Sequence, residues 1–195
     1  IIVPSSWVKK LYTEKNKPLE KKIIIWPSGI DLNFWKKHEF KYEFDFLVYI
    51  KSFKNKKLLN NCLNYAKKKF KIKKIFYGRY THKNYLNLLN KSKNVIFFSE
   101  SESQGIMYFE AWSTDTPTFI YNKRTKYLKN YKTYAEPCPY FSKNVNGLSF
   151  NSLKSFKKNI HKFNIKKFQT RRWVQNNHNY LKSSKKLISI FEKLN

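Results

Sequence analysis

The 195 residues include only four glycines, two cysteines, one methionine and 12 acidic residues. Each shortage removes a class of protein. Cys62 and Cys138 lie far apart and form no metal-type pair, so two reduced thiols in a cytosolic protein are expected. The four histidines, His38, His82, His161 and His178, fit neither a metal spacing nor a catalytic triad. No apolar run approaches the roughly 18 residues of a membrane span. The opening "IIVPSSW" has neither the charged start nor the long apolar centre of a signal peptide, and it does not begin with Met. The chain is therefore expected to be the C-terminal part of a longer protein. No internal repeat or low-complexity linker interrupts it.

What is abundant is lysine. Lys plus Arg number 41, giving a net charge of +29. That balance raises nucleic acid or an anionic membrane as partners. The lysines are dispersed, however, and no RNP-like, zinc-finger or basic-zipper pattern is present. There are 37 Lys against 4 Arg, with 21 Asn and 3 Ala, which looks like an AT-rich coding bias spread over a solvated surface. With 41% apolar residues and 18% aromatics, the chain can bury a sizeable core. Against this background the surviving glycines and carboxylates are informative.

Apolar runs alternate with helical spacing along the chain. Strands are predicted at "IIVPS", "KKIIIWPSGID", "FDFLVYI", "KKIFYG", "NVIFFS", "PTFIYN" and "NGLSF". Helices are predicted at "SWVKKLY" (capped by Ser5 or Ser6), "KLLNNCLNYAKKKF", "NYLNLLNKS", "GIMYFEAWS" and "SLKSFKKNIHKF". A single long C-terminal helix is predicted over "RRWVQNNHNYLKSSKKLISIFEKL". The alternation implies βαβ units, hence an α/β fold with a Rossmann-like parallel sheet flanked by helices. Such sheets bind ligands at the carboxyl ends of their strands, which directs attention to the loops after Ile50, Tyr77, Phe98 and Tyr121.

One of those loops is unusual. Glu100, Glu102 and Glu110 put three of the 12 acids within eleven positions, around Gly105. If a helix starts near Gly105, Glu102 lies in the loop before it and Glu110 about 7.5 Å along the axis. Free amides at a helix mouth attract phosphate, and glycine permits close approach. Carboxylates repel phosphate but accept hydrogen bonds from hydroxyls. The pattern fits a ligand with hydroxyls at both ends and phosphate in the middle, which describes a nucleotide sugar.

At these residues the chain resembles the retaining GT-B-fold glycosyltransferases of the large family-four type. "E102-SQGIMYF-E110" is similar to their Glu-x7-Glu signature, and "EAWSTDTP" follows their Glu-Ala-x-x-x-Gly-x-Pro, with Asp115 in place of Gly. "IIWPSGIDLNFW" resembles the interdomain linker, "FLVYIKSFKNKK" the first donor-domain strand with its basic loop, and "IFYGRY" the loop near the nucleobase. "PYFSKNVNG" and "RRWV" resemble segments of the closest variants. The likeness covers about 160 residues, in the family's order.

The resemblance implies residues 1–38 as the tail of an N-terminal acceptor domain plus linker, 39–168 as the donor-binding domain, and 169–195 as a helix crossing back. It implies Glu102, Lys51 and Lys56 as catalytic, with Glu102 on sugar hydroxyls and the lysines on the diphosphate; Lys57 is an alternative to Lys56. Gln104, Gly105 and Ile106 would offer backbone amides, and Glu110 would bind the ribose. Gly78 and Arg79 would lie near the base. No cofactor and no metal are implied, and no Asp-x-Asp signature occurs. The implied activity is a hexosyl-type transfer from a nucleoside-diphosphate sugar to an acceptor hydroxyl with retention, in glycan or cell-surface polysaccharide or glycolipid synthesis. The partners are the nucleotide-sugar donor and an acceptor glycan, lipid or protein. The location is cytoplasmic, with peripheral contact to an anionic membrane as a further expectation; nucleic acid is disfavoured as a partner. The competing reading is a basic α/β binding module or a degenerate glycosyltransferase-like domain.

Structural roles compete residue by residue. Glu102 could only cap a helix, Glu110 could sit on an exposed face, Gly78 could relieve a turn, and Lys51 and Lys56 could be surface lysines. Tyr108 and Trp112 read as core or interface, Arg171 and Arg172 as forming a helix-start salt bridge, and Gln104 as contributing through its backbone.

Overall fold

The computed structural model describes residues 1–39, 41–126, 131–164 and 167–193. The elements follow as β1 (Ile2–Val3), α1 (Ser6–Thr13), a 3-10 turn (Lys17–Lys22), β2 (Ile24–Ile25), β3 (Phe44–Ile50), α2 (Lys56–Lys67), β4 (Ile72–Phe76), α3 (His82–Asn90), β5 (Ser92–Phe98), α4 (Ile106–Ser113), β6 (Thr118–Tyr121), β7 (Thr125–Lys126), β8 (Tyr134–Ala135), β9 (Gly147–Phe150), α5 (Leu153–Ile160), α6 (Thr170–Asn177) and α7 (Tyr180–Glu192). The main sheet has five parallel strands in the order β4-β3-β5-β6-β9. The predicted parallel α/β fold is present.

Strand periodicity explains the two cores. Leu47, Tyr49, Val95, Phe97 and Ile120 point to one face and pack with Tyr85, Leu89, Phe109, Trp112 and Val174. Phe46, Val48, Ile96, Phe98 and Phe119 point to the other and pack with Cys62, Leu63, Ala66, Phe156 and Ile160. Alternate side chains of a strand face opposite ways, and a parallel sheet covered on both faces needs apolar residues at nearly every position. Tyr108 and Trp112 are core, as predicted. Both cysteines are free and buried.

In strand sequence the sheet order is 2-1-3-4-5. Consecutive connections leave in opposite directions from β3 and β5, so a crevice opens between the carboxyl ends of those two strands. Lys51 follows β3 and Ser99 follows β5. Topology alone therefore brings the basic loop and the acidic loop together.

Several local expectations are corrected. Ser5 is the N-cap of α1, but neither it nor Ser6 makes a side-chain cap, and the buried Ser5 hydroxyl has no partner among the described residues. The C-terminal helical region is two helices, the longer being α7, separated at His178–Asn179. Asn179 is extended (φ −70°, ψ 152°) and its side chain caps α7 at Lys182 N–H. Ile30 occupies the break: its N–H donates to His178 O at 2.9 Å and Tyr180 N–H donates to Ile30 O at 3.1 Å. Arg171 makes no salt bridge among the described residues; its guanidinium donates to the backbone carbonyls of Leu32, Trp35 and Ser113.

Asp115, the departure from glycine, has a left-handed backbone (φ 54°). Its carboxylate compensates by accepting from Thr170 Oγ1 at 3.0 Å and Arg171 N–H at 3.5 Å, at the start of α6. Asp115→Ala is expected to destabilise the protein by about 1–3 kcal/mol, because it loses the cap and keeps the strain. Asp115→Gly should cost less, because it relieves the strain. Urea unfolding checks the order; equal losses would mean that the backbone strain is negligible.

Candidate functional site

A cleft of about 350 Å³ lies at the crevice, lined by Pro4, Tyr49, Lys51, Tyr77, Tyr80, His82, Met107 and the whole of 102–106, with Glu110. Gly105, the N-cap of α4, has φ 82° and ψ 57°. A Cβ there would lie 2.6 Å from the Tyr108 ring, so this position excludes a side chain both by backbone conformation and by contact. Ile106 and Met107, the first residues of α4, line the cleft, and their amides have no intrahelical acceptor.

The two acids differ. Glu102 is buried and has one donor on each carboxylate oxygen. Ser99 Oγ donates to its Oε1 at 2.7 Å, and Lys51 Nζ to its Oε2 at 2.8 Å. Its backbone is held as well: Trp7 Nε1 donates to Glu102 O at 2.9 Å, and Glu102 N–H to Glu136 O at 3.0 Å. Lys51 Nζ also lies 4.3 Å over the Tyr77 ring. A carboxylate has lone pairs beyond two partners, so Glu102 can still accept from a ligand. Glu110 is 6% exposed, and no described residue donates a hydrogen bond to it. Burial raises its pKa to about 7. It is neither a cap nor a surface residue.

The remaining candidates spread further. Gln104 lines the cleft, but its side chain turns to Ser28. Lys56 and Arg79 line an adjoining hollow of about 640 Å³, which shares Lys51 and Tyr77 with the cleft and adds Lys54. Lys57 lines neither. Gly78 has φ 75°, and a Cβ on it would meet nothing within 4 Å, so its backbone turn, not close approach, requires glycine.

Sequence reasoning missed the floor of the cleft. Tyr49 and Tyr80 share a hydroxyl–hydroxyl hydrogen bond of 2.8 Å, and Tyr85 beside them donates to Met107 O at 3.1 Å. Burial comes first in raising the pKa of Tyr80 and Tyr85, with Glu110 adding to it. The inward parity of Tyr49 in β3 was the available signal. Pro4 and His82 carried none. Among the described residues, no three His, Cys, Asp or Glu side chains converge into a cation site, and no helix is long and apolar enough to cross a membrane.

No family profile matches the sequence, and no curated protein does. Solved structures do. The sucrose-phosphate synthase of Thermosynechococcus elongatus superposes with a TM-score of 0.67 at 12% identity, over 99% of this chain and 57% of that one. HepE of Anabaena, solved in complex with UDP-glucose, gives 0.68 at 10% identity, over 98% and 63%. The lipopolysaccharide outer core galactosyltransferase WaaB gives 0.66 at 12%, over 98% and 61%. The chain thus spans about three fifths of the length of these structures. At such identities the likeness concerns architecture, and the architecture is that of the GT-B glycosyltransferases.

Proposed function

We propose that the cleft binds a nucleoside-diphosphate sugar and that the protein containing this chain transfers the sugar to an acceptor hydroxyl with retention. The observation that carries the reading is Glu110. A buried carboxylate with no donor among the described residues, and with a pKa near neutrality, lines a cleft that also holds the Lys51–Glu102 pair. Burying such a group is costly unless something donates to it. Ribose hydroxyls supply that donation.

The other groups of the cleft suit the rest of the donor. The Ile106 and Met107 amides and Lys51 suit the diphosphate, with Lys56 and Arg79 in the adjoining hollow. Glu102, held by Ser99 and Lys51, accepts from sugar hydroxyls. In the transfer the sugar C1–O bond to the diphosphate breaks, and a bond to the acceptor oxygen forms on the same face. The acceptor proton passes to the departing phosphate oxygen. Cations and helix amides stabilise the charge that develops there, and positioning does the remainder. The UDP-glucose seen with HepE supports a uridine donor, and the chemistry of the cleft supports a neutral hexose.

A thermal-shift screen against UDP-, GDP- and ADP-sugars tests this. One nucleotide series is expected to raise Tm by a few degrees at millimolar concentration, with bare pyrophosphate doing less. Equal shifts from single-stranded DNA and from every nucleotide would instead favour a general basic binding module.

A further inference from the structure

Gln104 sits between Glu102 and Gly105, yet its side chain does not face the cleft. Ser28 N–H and Ser28 Oγ each donate to Gln104 Oε1 at 3.1 Å, and Gln104 Nε2 donates to Ser28 O at 2.7 Å. One amide therefore meets donor and acceptor groups of a single residue 76 positions away, and Gln104 is only 6% exposed. This is a specific latch, since an amide side chain carries both an acceptor and a donor in fixed geometry.

The partner of the latch is itself fixed. A Cβ on Gly29 would lie 2.5 Å from Tyr180 Cα, so the Pro27–Gly29 turn lies directly against the start of α7. Ser183 Oγ donates to Pro27 O at 2.7 Å, and Trp26 Nε1 to Ser183 O at 2.8 Å. Ile30 bridges the α6–α7 break on both sides. A continuous chain of hydrogen bonds and contacts thus runs from the Glu102–Gly105 loop through Gln104 and Ser28 to the last two helices.

We propose that Gln104 is a positioning residue that locks the Glu102–Gly105 loop to the Pro27–Gly29 turn, so that occupation of the cleft and order in the turn and the α6–α7 break rise together. The proposal rests on the donor-site reading of the cleft. Gly105 is one residue from the latch and the Ile106 and Met107 amides are two and three, so loosening Gln104 lets the loop leave the geometry that receives phosphate. Coupling is reciprocal: a ligand that fixes the loop strengthens the latch.

Gln104→Met keeps the volume and removes all three hydrogen bonds. Its affinity for the nucleoside diphosphate, measured by calorimetry with whichever of UDP, GDP or ADP the parent binds best, is expected to fall about tenfold or more. Hydrogen exchange supplies the readout that a merely structural role would not move. In the parent, saturating nucleoside diphosphate should slow exchange at amides 28–31 and 179–183; in Gln104→Met that slowing should vanish. Ser28→Ala, which removes only the hydroxyl donor, should lose little. If the parent binds nucleotide and Gln104→Met binds it equally well, or if the parent shows no slowing at 28–31, the coupling is overturned and the donor site stands. If no nucleoside diphosphate binds the parent, the donor-site reading falls and the coupling with it. Should Gln104→Met fail to fold by circular dichroism, the exchange experiment on the parent decides alone.

Discussion

Gly105→Val is expected to abolish nucleotide-sugar binding and to weaken the fold. Two effects add at this position. The backbone is left-handed (φ 82°), a conformation that costs a residue with a Cβ about 1–2 kcal/mol, and more for a branched one. The new Cβ would also stand 2.6 Å from Cδ2 and 2.9 Å from Cε2 of Tyr108. Tyr108 is 1% exposed, lies 4.4 Å from Phe97 between ring centroids, and donates its hydroxyl to Pro137 O at 3.0 Å. It cannot swing away without disturbing the core, and overpacking of this kind costs about 1–3 kcal/mol. A total of about 2–5 kcal/mol would lower Tm by roughly 5–15 °C. From sequence, a helix mouth is expected to carry little of the core; the Tyr108 ring beneath Gly105 makes that expectation too mild.

Loss of binding must be separated from loss of stability. Gly78→Ala provides the control, because Gly78 has a similar φ of 75° and open space around it. It should show the strain without the ring clash, and lose far less nucleotide-sugar binding than Gly105→Val. Calorimetric titration at a temperature where both variants are folded by circular dichroism gives the comparison. Undiminished binding by folded Gly105→Val would mean that phosphate does not approach α4 at all, and the acids around Gly105 would need another explanation.

What could be read in the sequence was whatever depended on period and order. The near-continuous apolar runs in "FDFLVYI" and "NVIFFS" specify strands buried on both faces, and the strand–helix succession specifies parallel pairing. The cleft loop was legible because Gly105 and its acids stand out against a glycine-poor, acid-poor background. What was hidden depended on contacts between distant segments. Nothing local in Gln104 indicates that its amide meets Ser28. The helix predicted through His178 and Asn179 has no proline or glycine to stop it; it breaks because Ile30 inserts its backbone there. Asp115 was visible as a departure, but its cap on α6 needs the third dimension. Tyr49 and Tyr80 looked like ordinary aromatic core until the sheet order opened a crevice above them.

The two acids of the cleft differ in the fold, one paired and one without a donor among the described residues, which gives the sharpest pH test. Glu110 has an ordinary pKa of 4.5 and about 7 in the folded chain, raised by burial. Between those values the folded state holds more protons than the unfolded state. Stability attributable to this group is therefore full below pH 4.5 and falls as pH rises through 7, by about 3 kcal/mol in all. His178 works the other way. Burial first, and Lys186 second, lower its pKa from 6.5 to about 4, so its contribution is lost as pH falls from 6.5 toward 4. From pH 4.5 to 6.5 the two slopes oppose, and above 6.5 Glu110 acts alone. Glu110→Gln should thus be more stable than the parent at pH 8 and no more stable at pH 4.5. It should also bind nucleotide sugar worse. Removing the acceptor altogether, in Glu110→Ala, is expected to cost about 1–3 kcal/mol of nucleotide-sugar binding while sparing bare pyrophosphate. In the parent, affinity should climb as pH passes through 7, because hydroxyls donate to the ionised form; in Glu110→Gln the climb should disappear. Calorimetry at pH 6 and pH 8 measures both. Equal losses for pyrophosphate and nucleotide sugar in Glu110→Ala would contradict the ribose role. A parent whose affinity does not change with pH would show that the buried carboxylate is not what the ligand meets.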